Sequence, residues 1–174
     1  SNPRTIAPGE EVEIGNSGNK DPEEIACKTS VGLYLFEDNY PYRGDFDFND
    51  AVVQYEIRDY YQSKNRAKQI TVQLMATGSH MSNSFGFRDS KGFQPFLSGL
   101  KGYRNVYAAQ AFEPVGEPVV QTLYGDVVPW LKNESEYYIY PSSFNTAEYP
   151  SVLDIPVSDP DDASWKFEWP QEMQ

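Results

Sequence analysis

Between Glu37 and Asp50 the chain places five carboxylates in 14 residues, at Glu37, Asp38, Asp45, Asp47 and Asp50, opposed only by Arg43. Even spreading of the 26 acids over 174 residues would put about two there. Like charges this close repel, so folding them into one loop calls for solvent, raised carboxylate pKa values or a bound cation. Calcium suits the chemistry, because it takes about six to eight oxygens at about 2.3–2.6 Å from carboxylates, carbonyls and water. Asp45, Asp47 and Asn49 stand at alternate positions, so an extended or gently curled backbone presents their oxygens on one side. Phe46 and Phe48 then point the other way and anchor the loop in the core. The competing reading is a solvated acidic turn whose side chains cap backbone N–H groups.

An EF-hand is excluded. Asp45, Asp47 and Asn49 match its first, third and fifth places and Glu56 its twelfth, yet Asp50 stands where the sharp turn needs Gly. The flanks alternate like strands, so Glu56 is read as a strand residue whose spacing match is accidental.

The elements around the loop are strands. Val31–Phe36 is an apolar run that stops at Glu37-Asp38. Val53, Tyr55 and Ile57 alternate with Gln54, Glu56 and Arg58, and after Ser63-Lys64-Asn65-Arg66 the pattern resumes. There Ile70, Val72, Leu74 and Ala76 oppose Thr71, Gln73 and Met75, which predicts a long antiparallel hairpin. Short strands are expected at Phe85–Arg88, Asn105–Ala111, Pro118–Leu123, Tyr137–Tyr140 and Trp165–Trp169, with one helical turn over Val127–Leu131. No βαβ rhythm and no repeat is present, so the fold expected is all-β: an antiparallel β-sandwich, jelly-roll-like. Residues 1–30, polar and rich in Pro and Gly, read as an N-terminal arm or edge element, and residues 31–174 as a single β-sandwich domain.

Composition narrows the function classes. Fourteen basic against 26 acidic residues give a net charge of −12, which argues against nucleic acid and polybasic membrane surfaces as partners. The 13 Tyr, 10 Phe and 3 Trp argue against a disordered acidic chain. Cys27 is alone, so neither an intrachain disulfide nor a cysteine zinc site can form. The apolar runs fall far short of the roughly 20 residues of a transmembrane segment. The chain opens at Ser1, as expected where a signal sequence has been removed.

Phe-Glu-Asp-Asn-Tyr-Pro (36–41), followed by Gly-Asp-Phe-Asp-Phe-Asn-Asp-Ala-Val-Val (44–53), resembles the signature of the LruC-domain proteins. These are bacterial proteins, largely secreted or outer-membrane-associated, whose C-terminal domain has no assigned role. The resemblance covers Leu33 to Tyr55, with roughly ten positions in register. It continues weakly through Ile70–Thr77 and the Gly78-Ser79-His80 and Phe85-Gly86-Phe87 segments, and fades beyond Arg88. The resemblance implies a β-rich extracellular domain with calcium at Glu37, Asp38, Asp45, Asp47, Asn49 and Asp50.

Other chemistries were weighed. His80 is the single histidine, with no nucleophile beside it, and reads as a turn residue before it reads as a base. Two acids flanking a sugar would make a glycoside hydrolase, but five in one loop look more like a cation cage. Tyr137, Tyr138, Tyr140 and the Trp165/Phe167/Trp169 row could stack on sugars in a carbohydrate-binding module, although alternating aromatics more often fill a core. Asp159, Asp161 and Asp162 read as a solvated turn. The expectation is a non-enzymatic exported domain with a structural calcium ion, engaged in adhesion to a protein or glycan at the cell envelope.

Overall fold

A computed structural model describes residues 25–39, 42, 48–62, 65–102, 114–141 and 152–156. Those residues form an antiparallel β-sandwich with no helix. One sheet holds β1 (Ile25–Phe36), β2 (Ala51–Gln62), β3 (Asn65–Ala76), β6 (Val115–Tyr124) and β9 (Val152–Pro156), in the order β6-β3-β2-β1-β9. The other holds β4 (Asn83–Asp89), β5 (Gly92–Leu100), β7 (Val128–Lys132) and β8 (Tyr138–Ile139), in the order β5-β4-β7-β8.

The alternation in the sequence is what pairs these strands. Val53 lies opposite Leu74, Tyr55 opposite Val72 and Ile57 opposite Ile70, so the predicted hairpin is held by cross-strand apolar pairs. That inner face meets the other sheet through Phe85, Phe87, Phe96, Leu131 and Ile139. Phe85 contacts Phe36 at 5.7 Å and Phe87 at 5.3 Å, both edge-on, the arrangement that the ring quadrupole favours. Tyr34 stacks on Tyr55 at 4.1 Å, and the Tyr55 hydroxyl donates to Asp154 on edge strand β9 at 2.8 Å. This close approach needs Gly32, where a Cβ would come within 2.6 Å of both the Tyr55 hydroxyl and the Ile155 carbonyl.

Four expectations change. Val127–Leu131 is not a helical turn: Val128–Lys132 is a strand paired with β4 from Ser84 to Arg88. Five residues make too small a helical nucleus to stand against a full ladder partner. Strands β5 and β9 are not among the expected strands, and they carry Pro95 and Pro156. Both lie on edge strands, where a missing N–H costs no ladder bond, as does Pro118 on β6. Met75, expected on the polar face, is 5% exposed. It packs with Leu33, Leu35, Val52, Ala76 and Phe48 in a second cluster on the opposite face of the five-stranded sheet. Finally, β1 starts at Ile25, so the last six residues of the expected arm are strand, paired with β2.

The expected strands at Asn105–Ala111 and Trp165–Trp169, and Asp159, Asp161 and Asp162, lie outside the described residues. Among the described residues, no helix is long and apolar enough to cross a membrane.

Candidate functional site

The acidic loop joins β1 to β2, and these strands are neighbours with Phe36 opposite Ala51. Its two ends are therefore held about one strand spacing apart, about 4.7–4.9 Å. Glu37 and Asp38 leave β1; Phe48, Asn49 and Asp50 enter β2. The side chains cross that gap in both directions. Glu37 Oε1 accepts the Phe48 N–H, and Asp50 Oδ2 accepts the Asp38 N–H at 2.8 Å.

Phe48 is the peg expected from the sequence, with its ring fully buried in the second cluster. Its φ of 53° is left-handed, which a bulky residue rarely adopts, so strict strand alternation stops there. The buried ring and the bond from its N–H to Glu37 hold it in that conformation. Phe46, Arg43, Asp45 and Asp47 lie outside the described residues.

Asp38 is the hub. Its Oδ2 accepts from the Ser79 hydroxyl and, at 2.9 Å, from Asn83 Nδ2. Its backbone carbonyl accepts from Asn133 Nδ2 at 2.8 Å, and Asn133 Oδ1 in turn takes the Tyr137 N–H at 3.0 Å. The Asn49 carbonyl accepts the Gly78 N–H at 2.8 Å. One loop end is thus tied to the β3–β4 connection, to the first residue of β4 and to the turn after β7, which span both sheets.

Glu37 and Asp38 are each 3% exposed and Asn49 5%. The Asp38 carboxylate is served, among the described residues, by a hydroxyl and an amide, with no cationic side chain in the set. Burying a carboxylate against neutral donors alone is costly. Asn83, which donates to it, has a buried Oδ1 with no hydrogen-bond partner among the described residues, and the same holds for Thr77 Oγ1, which follows β3.

Four of the six expected ligands, Glu37, Asp38, Asn49 and Asp50, thus lie at the loop base, while Asp45 and Asp47 lie outside the described residues. Among the described residues, no three acid, imidazole or thiol side chains group closely enough to hold an ion on their own. A cation here would need other oxygens: amides, carbonyls, or the further acids that the loop carries in sequence. Glu56 is exposed midway along β2, away from the base, and His80 is exposed in the bend after Ser79.

Sequence reasoning missed Ser79, Asn83 and Asn133. The segment around Ser79 drew notice for His80, whereas its neighbour makes the contact. Asn83 and Asn133 carry a single sequence signal, that a small amide next to a strand end can bond a backbone or carboxylate.

No known family model, curated protein or solved structure matches this chain.

Proposed function

We propose that this is a non-enzymatic interaction domain of an exported bacterial protein, in which the β1–β2 loop holds a structural calcium ion. The observation that carries the reading is the Asp38–Asn83 pair: among the described residues, a buried carboxylate with no cationic partner beside a buried carbonyl oxygen with no donor. A cation seated between them satisfies both oxygens once the Asn83 amide turns over, a change that exchanges only O and N. The donors on offer are all oxygens, from Glu37, Asp38, Asn49, Asp50 and Asn83, with Asp45 and Asp47 in the same loop of the sequence. That set suits a hard cation and not zinc.

In this reading the ion neutralises the cluster and locks the loop to both sheets, leaving the sandwich rims to engage partners. The resemblance over Leu33–Tyr55 supports export and a place at the cell envelope, where adhesion is the role proposed. The non-enzymatic part rests on the density of acids in this one loop, which suits a cation cage better than the two separated carboxylates that glycoside hydrolysis needs.

Equilibrium dialysis against calcium tests the proposal. One ion bound per chain, lost in Asp47→Ala and in Asp38→Asn, is expected. No bound ion at millimolar calcium would overturn it.

A further inference from the structure

The four-stranded sheet has one face in the core and one facing out. Phe85 and Phe87 of β4, Leu131 of β7 and Ile139 of β8 are fully buried on the inner side. Period-two alternation then turns Arg88, Trp130, Lys132 and Tyr138 outward. Phe93, from β5, joins them. Its ring lies 6.4 Å from Trp130 at an interplanar angle of 21° and 5.5 Å from Tyr138 at 58°; Trp130 and Tyr138 are 4.7 Å apart at 44°, and Tyr140 stacks on Trp130 at 5.2 Å and 26°. All four rings are half-buried, so each keeps part of its surface in solvent.

Gly86 leaves room for this ring cluster. It lies opposite Trp130, and a Cβ there would come within 2.9 Å of Phe93 Cε1 and 2.1 Å of the Gln94 carbonyl. The Phe93 ring occupies the space that any other residue would fill.

The charge on this face runs against the charge of the molecule. Arg88 sits 5.3 Å from the Trp130 ring centroid, and Lys132 Nζ 5.9 Å from that of Tyr138. No Asp or Glu takes an outward position on β4 or β7. Among the described residues, the acid paired with a cation of this face is Glu136, 80% exposed and 3.6 Å from Lys132 Nζ. Arg88 has no acid partner among the described residues. A chain of net charge −12 thus keeps two cations on its aromatic sheet face.

We propose that the outer face of the four-stranded sheet binds an acidic polysaccharide. Trp130, Phe93 and Tyr138 stack on the C–H faces of the sugar rings, and Arg88 and Lys132 hold carboxylate or sulfate groups. Exposed aromatic faces give large apolar contact with a polar handle beside it, and Arg pairs planar anions in two-point geometry. Single-stranded nucleic acid also uses aromatic and cationic side chains, but it calls for a positively charged groove that tracks the backbone, and this face offers two cations, of which Lys132 is paired with Glu136.

The test is affinity electrophoresis and calorimetry of the whole chain, at fixed calcium, with polygalacturonate, alginate and heparin. Dextran and an oligothymidylate serve as controls. Binding to at least one acidic polysaccharide is expected. It should weaken at least tenfold in Trp130→Ala, about three- to tenfold in Arg88→Ala, and with added salt. Arg88→Ala touches only an exposed side chain, so it reports even where Trp130→Ala fails to fold. Equal binding to dextran, binding to the oligonucleotide alone, acidic binding unchanged by Arg88→Ala, or no binding to any of the three would overturn the proposal.

Discussion

Asn83 donates from Nδ2 to Asp38 Oδ2 at 2.9 Å, which joins the end of β1 in one sheet to the start of β4 in the other. Both side chains are buried, so the two variants of the pair should differ. Asp38→Ala leaves Asn83 and Ser79 without their acceptor and should destabilise by about 2–4 kcal/mol, since buried polar groups then lose their partner. Asn83→Ala removes an amide whose oxygen is already unpartnered and should cost less, about 1–2 kcal/mol. Urea unfolding of both variants checks the order, and a larger loss from Asn83→Ala would contradict it.

Phe48 combines a fully buried ring with a φ of 53°. Phe48→Ala should cost about 3–5 kcal/mol for the lost ring. Phe48→Gly should be less harmful than Phe48→Ala, by about 1 kcal/mol, because glycine adopts the left-handed region freely. In a strand or helix the order would be reversed. Chemical denaturation of the two variants reads it directly.

Burial, with Asp154 close by, pushes the Tyr55 phenol well above its ordinary value of 10.0, and burial does the same to Tyr34. A raised pKa means that the folded state keeps a proton that the unfolded state gives up. The stability that these tyrosines contribute is therefore complete below pH 10 and lost as pH rises beyond it. Each should add a loss of about 1.4 kcal/mol per pH unit above 10. Tyr55→Phe, measured by denaturant unfolding between pH 9 and 12, should flatten that slope by one such increment. A slope equal to that of the unsubstituted chain would contradict the assignment. Asp154 is also raised by burial, although the Tyr55 hydrogen bond pulls the other way.

The hairpin was legible because Val53, Tyr55 and Ile57 and their partners Ile70, Val72 and Leu74 carry a clean period of two, which only a half-buried strand produces. The loop was legible for another reason: charge density is a one-dimensional property, and Glu37 and Asp38 stand next to it in the chain. What could not be read is whatever depends on pairing across long separations. Asn83 is 45 residues from Asp38 and Asn133 is 95, so nothing local marks them as partners. Strands β5 and β9, with Pro95 and Pro156, went unread because the sequence does not say which strands become edges. Met75 misled in a related way: alternation assigns a face, but not what covers it.

Thermal unfolding with calcium and with chelator is the most direct test of the calcium loop. At a calcium concentration about a hundredfold above Kd, binding to the folded state alone adds about 2.7 kcal/mol. For a chain of this size that should raise the midpoint by about 5–10 °C, and the difference should vanish in Asp47→Ala. Identical midpoints in calcium and in chelator, with Asp47→Ala melting like the unsubstituted chain in both, would contradict the account.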